Sequence, residues 1–266
     1  MACLQIARLQ GTRFQSIRLR AIRFQAASSL AVASLALLAN QSVQAEPRAV
    51  IELFTSQGCS SCPPADKLIA EYSRDPSVLA LSLAVDYWDY LGWKDTLALS
   101  GNSHRQRAYA KARGDRQIYT PQAVIDGAVH ALGSDKVAIE RAIRQTREQS
   151  APLVLPVRIE QTGDKLTVTV PASKDEKGQA EVWLCPITKS VPVSIGRGEN
   201  SGHTITYTNV VRRWIKLGDW TGKAETFNVP VKDIQSGGAD SAAVVVQSGV
   251  ATAPKLMLGA AQIALR

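Results

Sequence analysis

Between Arg48 and Ser150 two hydrophobic rhythms alternate along the chain. Arg48–Phe54 is a β-branched and aromatic run of strand length. Beyond a cysteine-bearing turn, Ala65, Leu68, Ile69 and Tyr72 fall at i, i+3, i+4 and i+7, one apolar face of a helix. Asp75-Pro76 stops it. Val78–Val85 is almost entirely apolar, the pattern of a buried parallel strand. A helix predicted from about Asn102 to Arg113 ends at Gly114, a suitable C-cap. Gln122–Ile125 reads as a short third strand turned by Asp126-Gly127. Ser134 then caps a helix whose inner face is Ile139, Ala142, Ile143 and Thr146. The order β-α-β-α-β-α predicts an α/β domain with helices packed on a sheet.

At Ser150-Ala151-Pro152 the pattern changes. No helix is predicted from Leu153 onward. Val157–Glu160 and Leu166–Val170 flank a Thr-Gly-Asp turn. Further strands are predicted at Glu181–Cys185, Thr204–Tyr207, Val211–Leu217, Thr226–Val231 and Ala243–Gln247, with a last one at Leu256–Leu258 or Gln262–Leu265. Short alternating strands between Gly-, Asn-, Asp- and Pro-rich turns predict a β-sandwich-like second domain over residues 151–266.

Charge alters the reading of the N-terminus. Residues 1–45 hold five arginines and no acid, so they carry five of the eight excess positive charges of the 266-residue chain. An apolar run from Ala26 to Ala39 and a Val43-Gln44-Ala45 ending complete a signal-peptide pattern, which predicts export to a periplasmic or secreted location. The apolar run is shorter than the ~20 residues a membrane span needs. The remaining sequence shows no concentrated basic stripe, so neither nucleic acid nor membrane is expected as a partner after cleavage.

Cysteine placement points to chemistry. Cys59-Ser60-Ser61-Cys62 joins the first strand to a helix, and Pro63 and Pro64 suit a first helical turn. Free backbone N–H groups and the helix dipole stabilise a thiolate there. A Cys-x-x-Cys thiol so placed has a pKa lowered from ~8.5 into the ~3.5–7.5 range. Cys59 is therefore the expected nucleophile, and Cys62, one turn on, the resolving thiol. Gly58 permits a tight turn before it. A static disulfide and Cu(I) handling by the same pair are the alternatives. Cys185, in Val-Trp-Leu-Cys-Pro, reads as a small buried hydrophobe. His104, His130 and His203 share no metal-ligand spacing, and no metal site is expected.

Asp86–Asp95 packs Tyr87, Trp88, Tyr90 and Trp93 after the second strand, where open α/β sheets place binding loops. These aromatics read either as a substrate-docking rim or as a wedge between the two domains. Asp86 and Asp89 read as turn residues. Arg197, Glu199, Asn200, Arg212 and Arg213 read as a hydrogen-bonded turn rather than an anion site.

Strand, Cys-x-x-Cys, helix and then Tyr119-Thr120-Pro121-Gln122 leading into a strand resemble the thioredoxin superfamily over residues 48–149. That resemblance implies a thioredoxin-like domain over 46–150. It also implies that Thr120 and a cis Pro121 dock substrate backbone, and that Glu52 relays protons to the second cysteine. The whole remaining chain resembles an uncharacterised family of secreted bacterial proteins with a thioredoxin-like first half. Glu52–Cys62, Val85–Asp95, Tyr119–Gln122, Gly198-Glu-Asn and Asn209–Arg212 carry that resemblance. The expected function is an exported thiol–disulfide oxidoreductase that needs no bound cofactor. It would act on protein or small-molecule thiols and disulfides and be reset by a redox partner that the sequence does not name. A non-catalytic periplasmic binding or scaffold protein is the rival from another class.

Overall fold

The computed structural model describes residues 46–174 and 178–266. Residues 1–45, with the expected signal sequence and Cys3, lie outside the described residues. Strand β1 (Ala49–Thr55) pairs in parallel with β2 (Val78–Ala84), Ala49 opposite Val78 and Thr55 opposite Ala84. Parallel neighbours need a crossover, and helix α1 (Pro63–Tyr72) supplies it. Helix α2 (Ser100–Arg113) closes at Gly114, whose φ of 81° suits a residue without a Cβ. Strand β3 (Gln122–Ile125) runs antiparallel to β1, and β4 (Val129–Leu132) antiparallel to β3. Helix α3 (Lys136–Ser150) is capped by Asp135, whose carboxylate accepts from the Ala138 N–H at 2.9 Å. That cap lies one residue beyond the Ser134 the sequence pointed to.

Successive strand side chains face opposite sides, so β1 separates two cores. Ala49, Ile51 and Leu53 pack with Ala65, Leu68 and Ile69 of α1 and with Ile139 and Ile143 of α3. Val50 and Phe54 pack on the other side with Tyr109 of α2.

The later strands are β5 (Arg158–Thr162), β6 (Lys165–Val170), β7 (Ala180–Ser194), β8 (Thr204–Val211), β9 (Ile215–Trp220), β10 (Glu225–Pro230), β11 (Ser241–Val250) and β12 (Ala253–Ala264), with a short helix α4 (Val231–Gln235) before β11. Among the described residues, β10-β6-β5 form a three-stranded sheet. The other nine strands form one mixed sheet in the order β12-β11-β7-β8-β2-β1-β3-β4, with β9 also on β7.

This architecture corrects the expectation of a thioredoxin-like α/β domain followed by a separate β-sandwich. The described residues form one compact unit, and its large sheet runs through both halves of the chain. The joint is β8 beside β2. Val210 pairs with Ser82 in parallel, the Ser82 hydroxyl donates to the Thr208 carbonyl at 2.6 Å, and the Asn209 amide donates to the Ala80 carbonyl at 2.9 Å. Strand β11 is buried on both faces. Ala242, Val244 and Val246 pack towards the small sheet, against Leu166, Val168 and Val170. Ala243 and Val245 pack towards Tyr109, Phe54 and Leu81. The later strands thus supply part of the core for β1, β2 and α2.

Candidate functional site

The end of β1 leads through Ser56, Gln57 and Gly58 into Cys59, which forms a disulfide with Cys62. Both cysteines are buried, while Ser60 and Ser61 between them are exposed. Cys62 is the N-cap of α1, and its carbonyl accepts from the N–H groups of Ala65 and Asp66 at 2.8 and 3.1 Å. Pro63 and Pro64 take the first helical positions, where an N–H would have no intrahelical partner. Gly58 is required by close approach, since a Cβ there would stand 3.0 Å from that of Trp88. The Gln57 N–H donates to Asp95 at 2.8 Å, which fixes the turn from below. A bond of this kind persists in oxidising compartments, and no helix among the described residues is long and apolar enough to cross a membrane.

Thr120 and Pro121 meet this turn. The Thr120–Pro121 peptide is cis. The Ser61 hydroxyl, 3.4 Å from Cys59 Sγ, donates to the Thr120 carbonyl at 3.5 Å. Trp88 reaches the same loop, its indole N–H donating to the Thr120 hydroxyl at 2.8 Å. Trp93 donates to the Gln57 side-chain carbonyl at 2.8 Å and lies against Gly196 and Gly198. Tyr90 departs from its companions and projects into solvent, 78% exposed. Of these aromatics Trp88 and Trp93 therefore converge on the cysteine turn and its neighbouring loop.

Glu52 does not. It lies on the face of β1 opposite α1, and its carboxylate accepts from Arg105 Nε at 2.7 Å and from the Tyr109 hydroxyl at 2.5 Å. Arg105 and Tyr109 each bond in turn to the Gln247 amide of β11, and the guanidinium stacks 4.1 Å over the Trp214 ring. A buried, fully engaged ion pair of this kind joins α2 and β11 to β1. Among the described residues no hydrogen bond links it to Cys62, so the proton-relay role expected for Glu52 has no direct contact behind it.

A further buried acid, Asp66, lies in the first turn of α1, four residues after Cys62. Helix geometry puts positions 62 and 66 on one row of α1. The Thr55 hydroxyl donates to Asp66 Oδ1 at 2.8 Å, which anchors the carboxyl under the start of the cysteine turn, and Oδ2 has no hydrogen-bond partner. Burial pushes this carboxyl up to about 7; the Thr55 bond opposes the shift and the Asp95 charge adds to it. Tyr207 of β8, its hydroxyl also unpartnered, is raised by burial and by the charges of Asp66 and Asp95. Asp66 escaped the sequence reading because an acid in a first helical turn ordinarily serves the helix dipole. Its place on the i+4 row of Cys62, three residues before the buried Ile69, was the available signal.

The remaining candidates are structural in position. Cys185 is a free, fully buried thiol raised by desolvation. Asp86 accepts from the Ser103 hydroxyl at 2.5 Å, and Asp89 from the Asp95 N–H at 3.0 Å. His130 bridges Asp115 at 3.2 Å and the Tyr119 hydroxyl at 2.9 Å, and burial lowers its pKa. Among the described residues no three His, Cys, Asp or Glu side chains converge as a metal-binding group.

The architecture recurs in other solved proteins. The fold is similar to the crystal structure of protein AGR_C_4864 from Agrobacterium tumefaciens, at 32% identity and a TM-score of 0.74, covering 84% of this chain and 96% of that one. It is similar in fold alone to HBP35 of Porphyromonas gingivalis, at 12% identity and a TM-score of 0.53, covering 83% of this chain and 76% of that one. No curated protein matches the chain. A family model described as "Protein of unknown function (DUF1223)" matches residues 50–247. With well over half of its length inside that match, the chain belongs to the DUF1223 family.

Proposed function

We propose that the protein is a thiol–disulfide oxidoreductase acting through Cys59 and Cys62. The observation that carries the reading is the Cys59–Cys62 disulfide leading into α1, with the Thr120–Pro121 loop beside it and, four residues after Cys62, a buried carboxyl that titrates near neutrality. A substrate thiolate attacks Cys59 Sγ. The new S–S bond forms as the Cys59–Cys62 bond breaks, and Cys62 leaves with the electron pair as a thiolate. Asp66, with a pKa of about 7, is suited to give that thiolate a proton and to recover it in the reverse direction. A second substrate thiolate attacks the substrate sulfur of the mixed disulfide and expels Cys59. Two substrate thiols are thereby oxidised to a disulfide and the protein disulfide is reduced to a dithiol; run backwards, the same steps reduce a substrate disulfide. A disulfide or dithiol partner of opposite redox state resets the pair.

The resemblance of Phe54–Cys62 and Tyr119–Gln122 to the thioredoxin superfamily supports the same reading. Trp88 and Trp93 would form the rim against which a substrate lies. Export by the N-terminal leader would place the protein in the periplasm or outside the cell, where such couples operate.

The test is equilibration of the protein in glutathione buffers with trapping of free thiols, beside the Cys59→Ser and Cys62→Ser variants. Reversible titration of the pair, lost in both variants, is the expected result. A disulfide that opens only when the protein unfolds would overturn the reading and leave the bond as a staple of the turn.

A further inference from the structure

The β7–β8 connection, Ile195–His203, brings the later half of the chain onto the cysteine turn. Asn200, nearly buried, donates from its amide to the carbonyls of both Gln57 and Cys59, each at 2.9 Å. Next to it, Glu199 accepts from the Ser60 N–H at 3.1 Å. These three bonds take up polar backbone atoms on either side of Cys59. The connection is itself braced. Ile195 and Gly202 donate to the carbonyls of His203 and Ile195 at 2.9 and 2.8 Å, and Ser201 donates to Gly198 at 3.1 Å. Trp93 fills the space between the connection and Gln57.

We propose that Glu199 and Asn200 are positioning residues of the dithiol: Asn200 holds the turn in its disulfide geometry, and Glu199 makes Cys59 a weaker acid than it would be without that carboxylate. The inference rests on the reading of Cys59 as the reactive sulfur. A helix N-terminus lowers a thiol pKa because its free N–H groups and dipole favour the thiolate. Glu199 works against any such stabilisation of Cys59: it takes up the Ser60 N–H, in the loop before α1, and it places a carboxylate within one residue of the sulfur. The hydrogen bond to Ser60 holds Glu199 below the ordinary carboxylate range, so it is charged at neutral pH. The disulfide carries no charge and does not respond. The whole effect therefore falls on the reduced form, and the pair is poised further towards the disulfide. The other titratable or charged groups around the turn are Cys62, Asp66 on α1, Asp95 before α2, Tyr207 on β8, and Arg197 and His203 within the connection itself. What sets Glu199 apart from them is its bond to the backbone between the two cysteines.

The experiment compares wild type, Glu199→Gln and Asn200→Ala. Each is reduced with a phosphine, and alkylation of Cys59 by iodoacetamide is followed from pH 4 to 10 by mass spectrometry of its peptide. In Glu199→Gln, Cys59 is expected to titrate at lower pH and to react about two- to five-fold faster below its midpoint, the range of exposed charge effects at helix termini. At pH above the Cys59 midpoint the glutathione equilibrium should move towards the dithiol by about the same factor, and both differences should shrink in ~1 M salt. Asn200→Ala is expected to speed reduction of the disulfide by dithiothreitol several-fold with little salt dependence. Superimposable Cys59 titrations in wild type and Glu199→Gln would overturn the role of Glu199, and an unchanged reduction rate would overturn that of Asn200. Shifted titrations in a protein that never exchanges with glutathione would leave this inference standing and remove the oxidoreductase reading instead.

Discussion

Asp66→Asn replaces a carboxyl by an isosteric amide at a site nearly closed to solvent. In the folded protein the carboxyl titrates at about 7 rather than at its ordinary 3.8, chiefly because burial penalises the charge. At ~1.36 kcal/mol per pH unit that displacement corresponds to about 4 kcal/mol, a ceiling that relaxation around the site reduces. The direction follows from proton counting. Below pH ~4 Asp66 is protonated in both states and costs nothing. Between about 4 and 7 the unfolded chain loses this proton while the native state keeps it, so stability falls as pH rises and levels off above 7. The amide of the variant cannot titrate, and its carbonyl keeps the Thr55 hydroxyl as donor. The difference in unfolding free energy between variant and wild type should therefore be small at pH 4 and grow in favour of the variant to several kcal/mol at pH 8. Urea unfolding of the oxidised proteins at half-unit pH steps measures it, and the subtraction cancels every other titrating group. A flat difference, or a variant that loses ground as pH rises, would show that Asp66 is charged and compensated in the native state. The reasoning would then be wrong.

Glu52→Gln removes one partner of a buried ion pair and strands Arg105. The expected cost is about 3–5 kcal/mol in denaturant unfolding, with the pH profile of thiol exchange unchanged; normal stability with impaired exchange would return Glu52 to the chemistry. Gly127→Ala drives a Cβ into the Lys255 carbonyl at a φ of 73°, and should destabilise by about 1–3 kcal/mol. A melting temperature equal to wild type would contradict that contact between the β3–β4 turn and β12. Trp88→Phe deletes the indole N–H bond to Thr120 and should cost about 1 kcal/mol, read by chemical denaturation; no loss would show that packing alone holds the loop.

Much of the first half was legible because its signals are local. The i, i+3, i+4, i+7 row from Ala65 to Tyr72 became α1, and Gly114 closed α2 where its left-handed conformation was anticipated. The cysteine pair at a helix start was readable from Cys-Ser-Ser-Cys-Pro-Pro alone. The second half was less so. Strand β7 runs on to Ser194 although Pro186 and Pro192 interrupt it, and β8 continues to Val211 where a break was expected. The unbroken apolar stretch Ala242–Val246 was the clue that β11 is buried on both faces, a pattern that a two-layer sandwich with one solvated face does not produce.

The sequence by itself determined most elements of the first half and the placement of the cysteine pair before a helix, because helix periodicity and capping act within a few residues. Only the tertiary structure decided which side chains surround that dithiol. Strand alternation turned Glu52 away from α1 and towards Arg105, while Asp66 of α1 was tied to Thr55 at the end of β1. Contacts across more than a hundred residues set Glu199 and Asn200 upon the cysteine turn and merged two expected domains into one sheet. Such pairings depend on how the chain returns upon itself, and local pattern does not encode that return.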